Sequence, residues 1–270
     1  MTSVPERADT EAPTAPVLVF GDDGSATADV AWLWVNNHPW PGWSVRVVTA
    51  EAGPPAASSW GNPPRVESWT PPWGRRYFDA AQLASLEYVR IDADPRLALD
   101  DQADASVVVV GRRGLGAMQS FWDVSTTDWL VQYPSHPLLL ARSAAEVRRV
   151  TCCVDGSAHA LAALTAALRL PLLTRAAITL LAVDDGHVDT ETALKGAFAT
   201  VEAHGLSARP ARVAGRAPQR VLEHLMEETP DLLVLGTHGW TPWDRMTMGS
   251  TAARVVHLPS CNCLLAAAVP

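Results

Sequence analysis

Three blocks of this 270-residue sequence occur twice and in the same order. Residues 105–114, an apolar run closed by Gly111-Arg112-Arg113-Gly114, return at 230–239, closed by Gly236-Thr237-His238-Gly239. Residues 133–140 return in outline at 258–265, and both blocks are displaced by 125 positions. Each copy also opens on an apolar run ending in Asp-Gly-Ser, at 23–25 and at 155–157, a displacement of 132, so the first copy carries seven further residues in its middle. Such a chain is two copies of one unit, at 16–146 and 147–270, each long enough for its own core. A Thr/Glu/Pro/Ala-rich tail, 1–15, precedes them and is expected to be loose and flexible.

The pattern inside the second copy sets the fold class. Residues 150–154 read as a buried strand and 158–170 as a helix stopped by Pro171; 177–183 is a strand, 191–204 a helix and 208–213 a strand. Then come a helix at 218–228 with proline in its first turn, a strand at 231–235, a helix at 250–257 and a strand at 261–267. Strands apolar on both faces that alternate with helices form a parallel sheet covered on both sides, and right-handed crossovers make it doubly wound. The expected class is therefore α/β: two doubly wound domains, each an open parallel sheet with helices on both faces. The first copy departs from this in an insertion at 51–76, where Trp60, Trp69 and Trp73 stand among prolines and glycines that exclude a regular helix. It reads as a loop packing its indoles over the sheet edge or the other copy, with an aromatic binding surface as the alternative.

Charge narrows the partners. Lys195 is the single lysine among 21 basic residues, which face 29 acids for a net charge of −8. That balance argues against a nucleic-acid binder, which needs a basic face to displace counterions. The excess lies in residues 1–146, with 18 acids and 10 bases; residues 147–270 hold 11 of each, so a bound polyanion meets less repulsion there. No run approaches the roughly 20 apolar residues that cross a bilayer, and the start lacks the apolar stretch of a secretory signal, so a cytoplasmic location without membrane contact is expected. Cys152 and Cys153 point to opposite faces of a strand and cannot share one metal without distortion; with Cys261 and Cys263 they read as buried thiols, a zinc site being the alternative.

In the second copy Gly236-x2-Gly239-x9-Gly249-Ser250-Thr251 runs from a strand end to a helix start, where a doubly wound sheet binds its ligands. The glycines let backbone N–H groups approach an anion, and a helix opening at Gly249, Ser250 and Thr251 favours phosphate. The same glycines serve equally as plain turns, and Gly-Ser as an ordinary helix start. Asp155 closes the first strand; if the two strands are neighbours it lies beside this loop and can accept from an adenine amino group or a ribose hydroxyl.

On these residues the chain resembles a tandem universal stress protein, from about residue 17 to 267. Nucleotide-binding members of that family show Gly-x2-Gly-x9-Gly-Ser/Thr. The resemblance implies that Gly236, Gly239, Gly249 and Ser250 wrap the phosphates of ATP. It also implies that Asp155 stands near the nucleoside and that the backbone of Val183 reads the adenine edge. Further implied are five-stranded sheets of order 3-2-1-4-5, paired through the last strand, so that the two copies pair within one chain; a homodimer is a further arrangement. The first copy keeps Asp23, Ala50, Gly111, Gly114 and Ser125, but Val124 takes the place of the third glycine. A β-branched residue tolerates positive φ poorly and crowds a phosphate, so that site is expected to be empty, weak or differently occupied.

Hydrolysis would need more. Lys195 lies between Leu194 and Gly196 and belongs to no phosphate-loop motif. His238 is the one candidate acid or base near the phosphates, with hydrogen bonding to its own loop as the plainer role; the other histidines show no ligand spacing. The function read from the sequence is an ATP-binding stress-response protein, with AMP or ADP as alternative ligands, regulatory rather than catalytic. A nucleotide-independent interaction module and a slow ATP hydrolase are the competing readings.

Overall fold

The computed structural model describes residues 15–50, 70–78, 83–111, 126–238, 249–255 and 261–268. In the first half these form β1 (Val17–Gly21), α1 (Ala26–Asn36), β2 (Ser44–Ala50), β3 (Ser85–Ile91), α2 (Pro95–Asp100), β4 (Ala105–Gly111), α3 (Thr126–Gln132) and β5 (Leu138–Ala141). In the second half they form β6 (Arg149–Cys153), α4 (Ala158–Leu168), β7 (Ala177–Asp184), α5 (Thr190–Ala203), β8 (Ala208–Ala214), α6 (Ala217–Glu228), β9 (Leu232–Gly236), α7 (Ser250–Val255) and β10 (Asn262–Ala266). Pro171 ends α4 by opening a 3-10 turn, Pro171–Arg175.

One ten-stranded sheet results, in the order β3-β2-β1-β4-β5-β10-β9-β6-β7-β8. Strands within each half run parallel. At the centre β5 and β10 pair antiparallel, Leu138 opposite Leu265 and Leu140 opposite Cys263. Every residue of those two strands is buried, and as free edges they would expose a row of unpaired backbone groups on an apolar ribbon. The strands at the outer edges differ: β3 carries Glu87 and Arg90, and β8 carries Arg209, Pro210 and Arg212, which suit a margin that must not recruit another strand.

Helices α1, α4 and α5 pack on one face of the sheet and α2, α3, α6 and α7 on the other. Cys152 belongs to the first core and Cys153 borders the second; all four cysteines are free thiols. Burial pushes the Cys152 and Cys261 thiols up to about 12, so they stay protonated at neutral pH. Among the described residues no helix is long and apolar enough to cross a membrane.

The segment joining the halves is anchored by side chains rather than by secondary structure. Asn262 Oδ1 accepts the N–H groups of Arg142 and Ser143 at 2.7 and 3.0 Å, and Asn37 donates to Ala144 O at 2.8 Å. Buried His38 donates from Nδ1 to Trp34 O at 2.6 Å and accepts the Val147 N–H on Nε2 at 3.0 Å. Both bonds together require the neutral ring, and burial is the largest cause holding its pKa below the ordinary value.

The halves part company after their second strand. In the second half α5 lies over the β6–α4 turn, with Ala193 Cβ 3.6 Å from where a Cβ on Gly156 would sit. In the first half residues 70–78 stand there instead. The Trp73 indole lies against Gly24, where a Cβ would come within 2.4 Å of the ring. Buried Asp22 holds this strap in place, accepting from Trp73 Nε1 at 3.1 Å, Arg76 Nε at 2.9 Å, Arg76 Nη2 at 2.7 Å and Gly24 N–H at 3.1 Å. Arg76 also reaches Asp29 in the first turn of α1, and Trp32 Nε1 donates to Tyr77 O. Trp73 thus covers the end of central strand β1 rather than the sheet edge, while remaining 40% exposed; Trp60 and Trp69 lie outside the described residues.

Candidate functional site

Strand order brings the carboxyl ends of β7, β6 and β9 side by side, since β6 pairs with β7 on one flank (Cys153 opposite Leu181) and β9 on the other (Cys152 opposite Val234). Asp155 leaves the middle strand half-buried. Its Oδ1 accepts the Ser157 N–H at 2.9 Å across Gly156, which has φ 79°, and Ser157 Oγ caps α4 by accepting the Ala160 N–H at 3.1 Å. Exposed Asp23 does the same in the first half, accepting the Ser25 N–H at 3.0 Å. Asp-Gly-Ser is therefore a helix-starting turn in both copies. It engages only one carboxylate oxygen of Asp155; among the described residues none donates to Oδ2.

Val183, next to last in β7, is buried and paired with Val213 of β8. Gly236 closes β9, and a Cβ there would lie 2.7 Å from Ala160 N and His159 C. Gly111 closes β4 in the same circumstances, 2.4 Å from Thr27 O. The first glycine of the motif thus has a packing reason in both halves: the opening turn of α4 or α1 rests directly on it. This is a role the sequence reading did not assign.

Thr237 is fully buried, donating its N–H to Ala266 O at 3.1 Å and accepting the Gly249 N–H at 2.9 Å, so Gly249 is tied back to the end of β9. His238 Nδ1 lies 2.9 Å from Thr237 Oγ1. Thr251 is half-buried in α7; Ser250 opens that helix, and its side chain, like Gly239, falls outside the described residues. In the first half Ala50 ends β2 opposite Ile91, half-buried, whereas Gly114, Val124 and Ser125 are outside the described residues. Among the described residues no group of three or more His, Cys, Asp or Glu is placed to hold a metal ion.

Sequence reasoning passed over His159. Its ring lies tilted against His238, centroids 5.0 Å apart at 48°, and its Nδ1 accepts the Ala268 N–H at 3.0 Å. The signal was present but faint: His159 is four residues beyond Asp155, in the first turn of α4, which rests on Gly236.

The family model described as the universal stress protein family matches residues 146–266. The second half of the chain belongs to that family. Over its whole length the chain is similar in structure to a universal stress protein from Archaeoglobus fulgidus DSM 4304, at 14% identity and TM-score 0.67, covering 94% of this chain and 98% of that one. It is similar too to a functionally unknown protein from Pseudomonas aeruginosa PAO1, at 11% identity and TM-score 0.55, covering 94% and 93%. At such identities the likeness is one of fold. A universal stress protein solved in complex with cAMP is 20% identical over 46% of this chain and all of its own, with TM-score 0.40. No curated protein matches the chain in sequence.

Proposed function

We propose that the second half of this chain, the half that matches the universal stress protein family, binds an adenine nucleotide, ATP or its di- or monophosphate, at the carboxyl ends of β6, β7 and β9. The bound nucleotide stabilises the fold and modulates its contacts in a cytoplasmic stress response, rather than being consumed. One observation carries this reading: Asp155 lies just past β6, the strand between those bearing Val183 and Gly236, and among the described residues nothing donates to its second carboxylate oxygen. Asp155 takes a ribose hydroxyl and the Val183 backbone the adenine edge, while Gly236, His238, Gly239, Gly249, Ser250 and Thr251 surround the phosphates. Units 16–146 and 147–270 act as two domains, and the first-half residues Asp23, Ala50, Gly111, Gly114 and Ser125 form a site that Val124 leaves weak or empty.

A ligand bound only by the folded form adds RT ln(1 + [L]/Kd), about 2.7 kcal/mol at a hundredfold excess over Kd. Thermal unfolding with ATP, AMP and GTP should show a rise selective for adenine. No rise, or an equal rise with GTP, overturns the reading. Gly249→Val should abolish the rise, and its persistence would remove the argument from Val124.

A further inference from the structure

Gly236 is bare because α4 rests on it, and the side chain brought there by that contact is His159, whose Cβ lies 3.0 Å from the Cβ position of Gly236. The imidazole is held from two sides. Nδ1 accepts a backbone N–H from Ala268, just past β10, and the ring leans on His238, just past β9. A nitrogen that accepts an N–H carries no proton, so the neutral ring has its proton on Nε2. Among the described residues nothing accepts that proton. A half-buried, pre-oriented donor therefore stands beside the carboxyl end of β9 with no acceptor among the described residues. In the first half the same place holds Thr27, whose hydroxyl is bonded to Ser25 Oγ at 2.9 Å.

We propose that His159 donates from Nε2 to a phosphate oxygen of the bound nucleotide, with Ala268 and His238 positioning the ring. This contact adds to the hold of the glycine loop on the phosphates and so favours a nucleotide over a nucleoside. The proposal rests on the nucleotide reading above and deepens it. A hydrogen bond to a charged group replaces one to water, so His159→Leu should weaken ATP binding about tenfold or more, while His159→Gln, which keeps an N–H, should lose less than about threefold.

The test is calorimetry of ATP with the full chain and both variants, each first shown to melt like the parent, together with imidazole 15N spectra. The expected result is the stated ranking, plus a shift of the His159 Nε2 resonance on adding ATP that adenosine does not produce. If the parent binds ATP, yet His159→Leu binds it within twofold or the Nε2 resonance stays put, the His159 contact is wrong and the nucleotide reading stands. If the parent binds no adenine nucleotide, both fall.

Discussion

Gly236→Ala and Gly111→Ala separate two explanations of the same glycine. If the residue is bare so that a phosphate can approach, alanine should impair binding and leave the ligand-free protein unharmed. The geometry gives the opposite expectation. An added Cβ on Gly236 would stand 2.7 Å from Ala160 N and His159 C, about 0.7 Å inside ordinary contact, and on Gly111 it would stand 2.4 Å from Thr27 O, about 1 Å inside. Both neighbours are backbone in a capped first turn, with no flexible tip to swing aside, so the helix itself must lift from the sheet. Overpacking of this kind costs about 1–3 kcal/mol, from which the lower unfolded-state entropy of alanine returns about 0.4–1 kcal/mol. A net loss of roughly 1–2 kcal/mol is expected for Gly236→Ala, and a larger one for Gly111→Ala, whose intrusion is deeper. Urea unfolding of nucleotide-free protein, followed by far-ultraviolet circular dichroism, measures both as midpoint shifts. Stability within about 0.5 kcal/mol of the parent in both variants would refute the packing account and return the glycines to the ligand.

Two further predictions concern stability. Asp22→Ala removes the acceptor of four hydrogen bonds and leaves Arg76 with only the exposed Asp29, so a loss of about 3–5 kcal/mol is expected in the same unfolding assay; a loss below about 1 kcal/mol would mean that the strap is held by its aromatic contacts instead. Stability should also fall as pH drops below about 6.5, because burial lowers the pKa of both His38 and His224, and the folded state then binds fewer protons than the unfolded chain. The contribution is complete above the unfolded value and is lost through the lowered ones, with a slope of at most about 2.7 kcal/mol per pH unit for the two protons. An unfolding free energy flat between pH 7 and pH 5 would contradict the neutral, doubly bonded His38.

What could be read from the sequence was what depends on near neighbours. The strand expected at 177–183 is Ala177–Asp184, and the helix expected at 218–228 is Ala217–Glu228, because an unbroken apolar run and a proline-led amphipathic stretch each declare themselves within a dozen residues. The strap was not legible. Arg76 and Asp22 are 54 positions apart, and the prolines and glycines between them show only that a helix is absent, not what replaces it. Nor does any spacing rule couple His159 to His238, which meet only because β9 and β6 are neighbours and α4, leaving β6, packs back over β9. In the candidate site the glycines were visible and one of their reasons was not, since the contact that requires Gly236 to be bare comes from a helix some 75 residues earlier in the chain.

Comparing the halves sorts the motif by cause. Asp155 and Asp23 make the same turn, Ser157 and Ser25 the same cap, and Gly236 and Gly111 meet the same helical backbone. These residues would be needed whether or not either half ever met a ligand, so their presence in the first half is no argument for a working site there. The positions at which the halves differ are of another kind. Gly249 answers to Val124 and His159 to Thr27, and His159 keeps a donor that finds no acceptor among the described residues. Substitutions at the shared positions should therefore register in unfolding curves taken without nucleotide. Substitutions at His159 should register in binding isotherms with little change in melting. The physical content of the nucleotide reading lies in that division more than in the count of glycines.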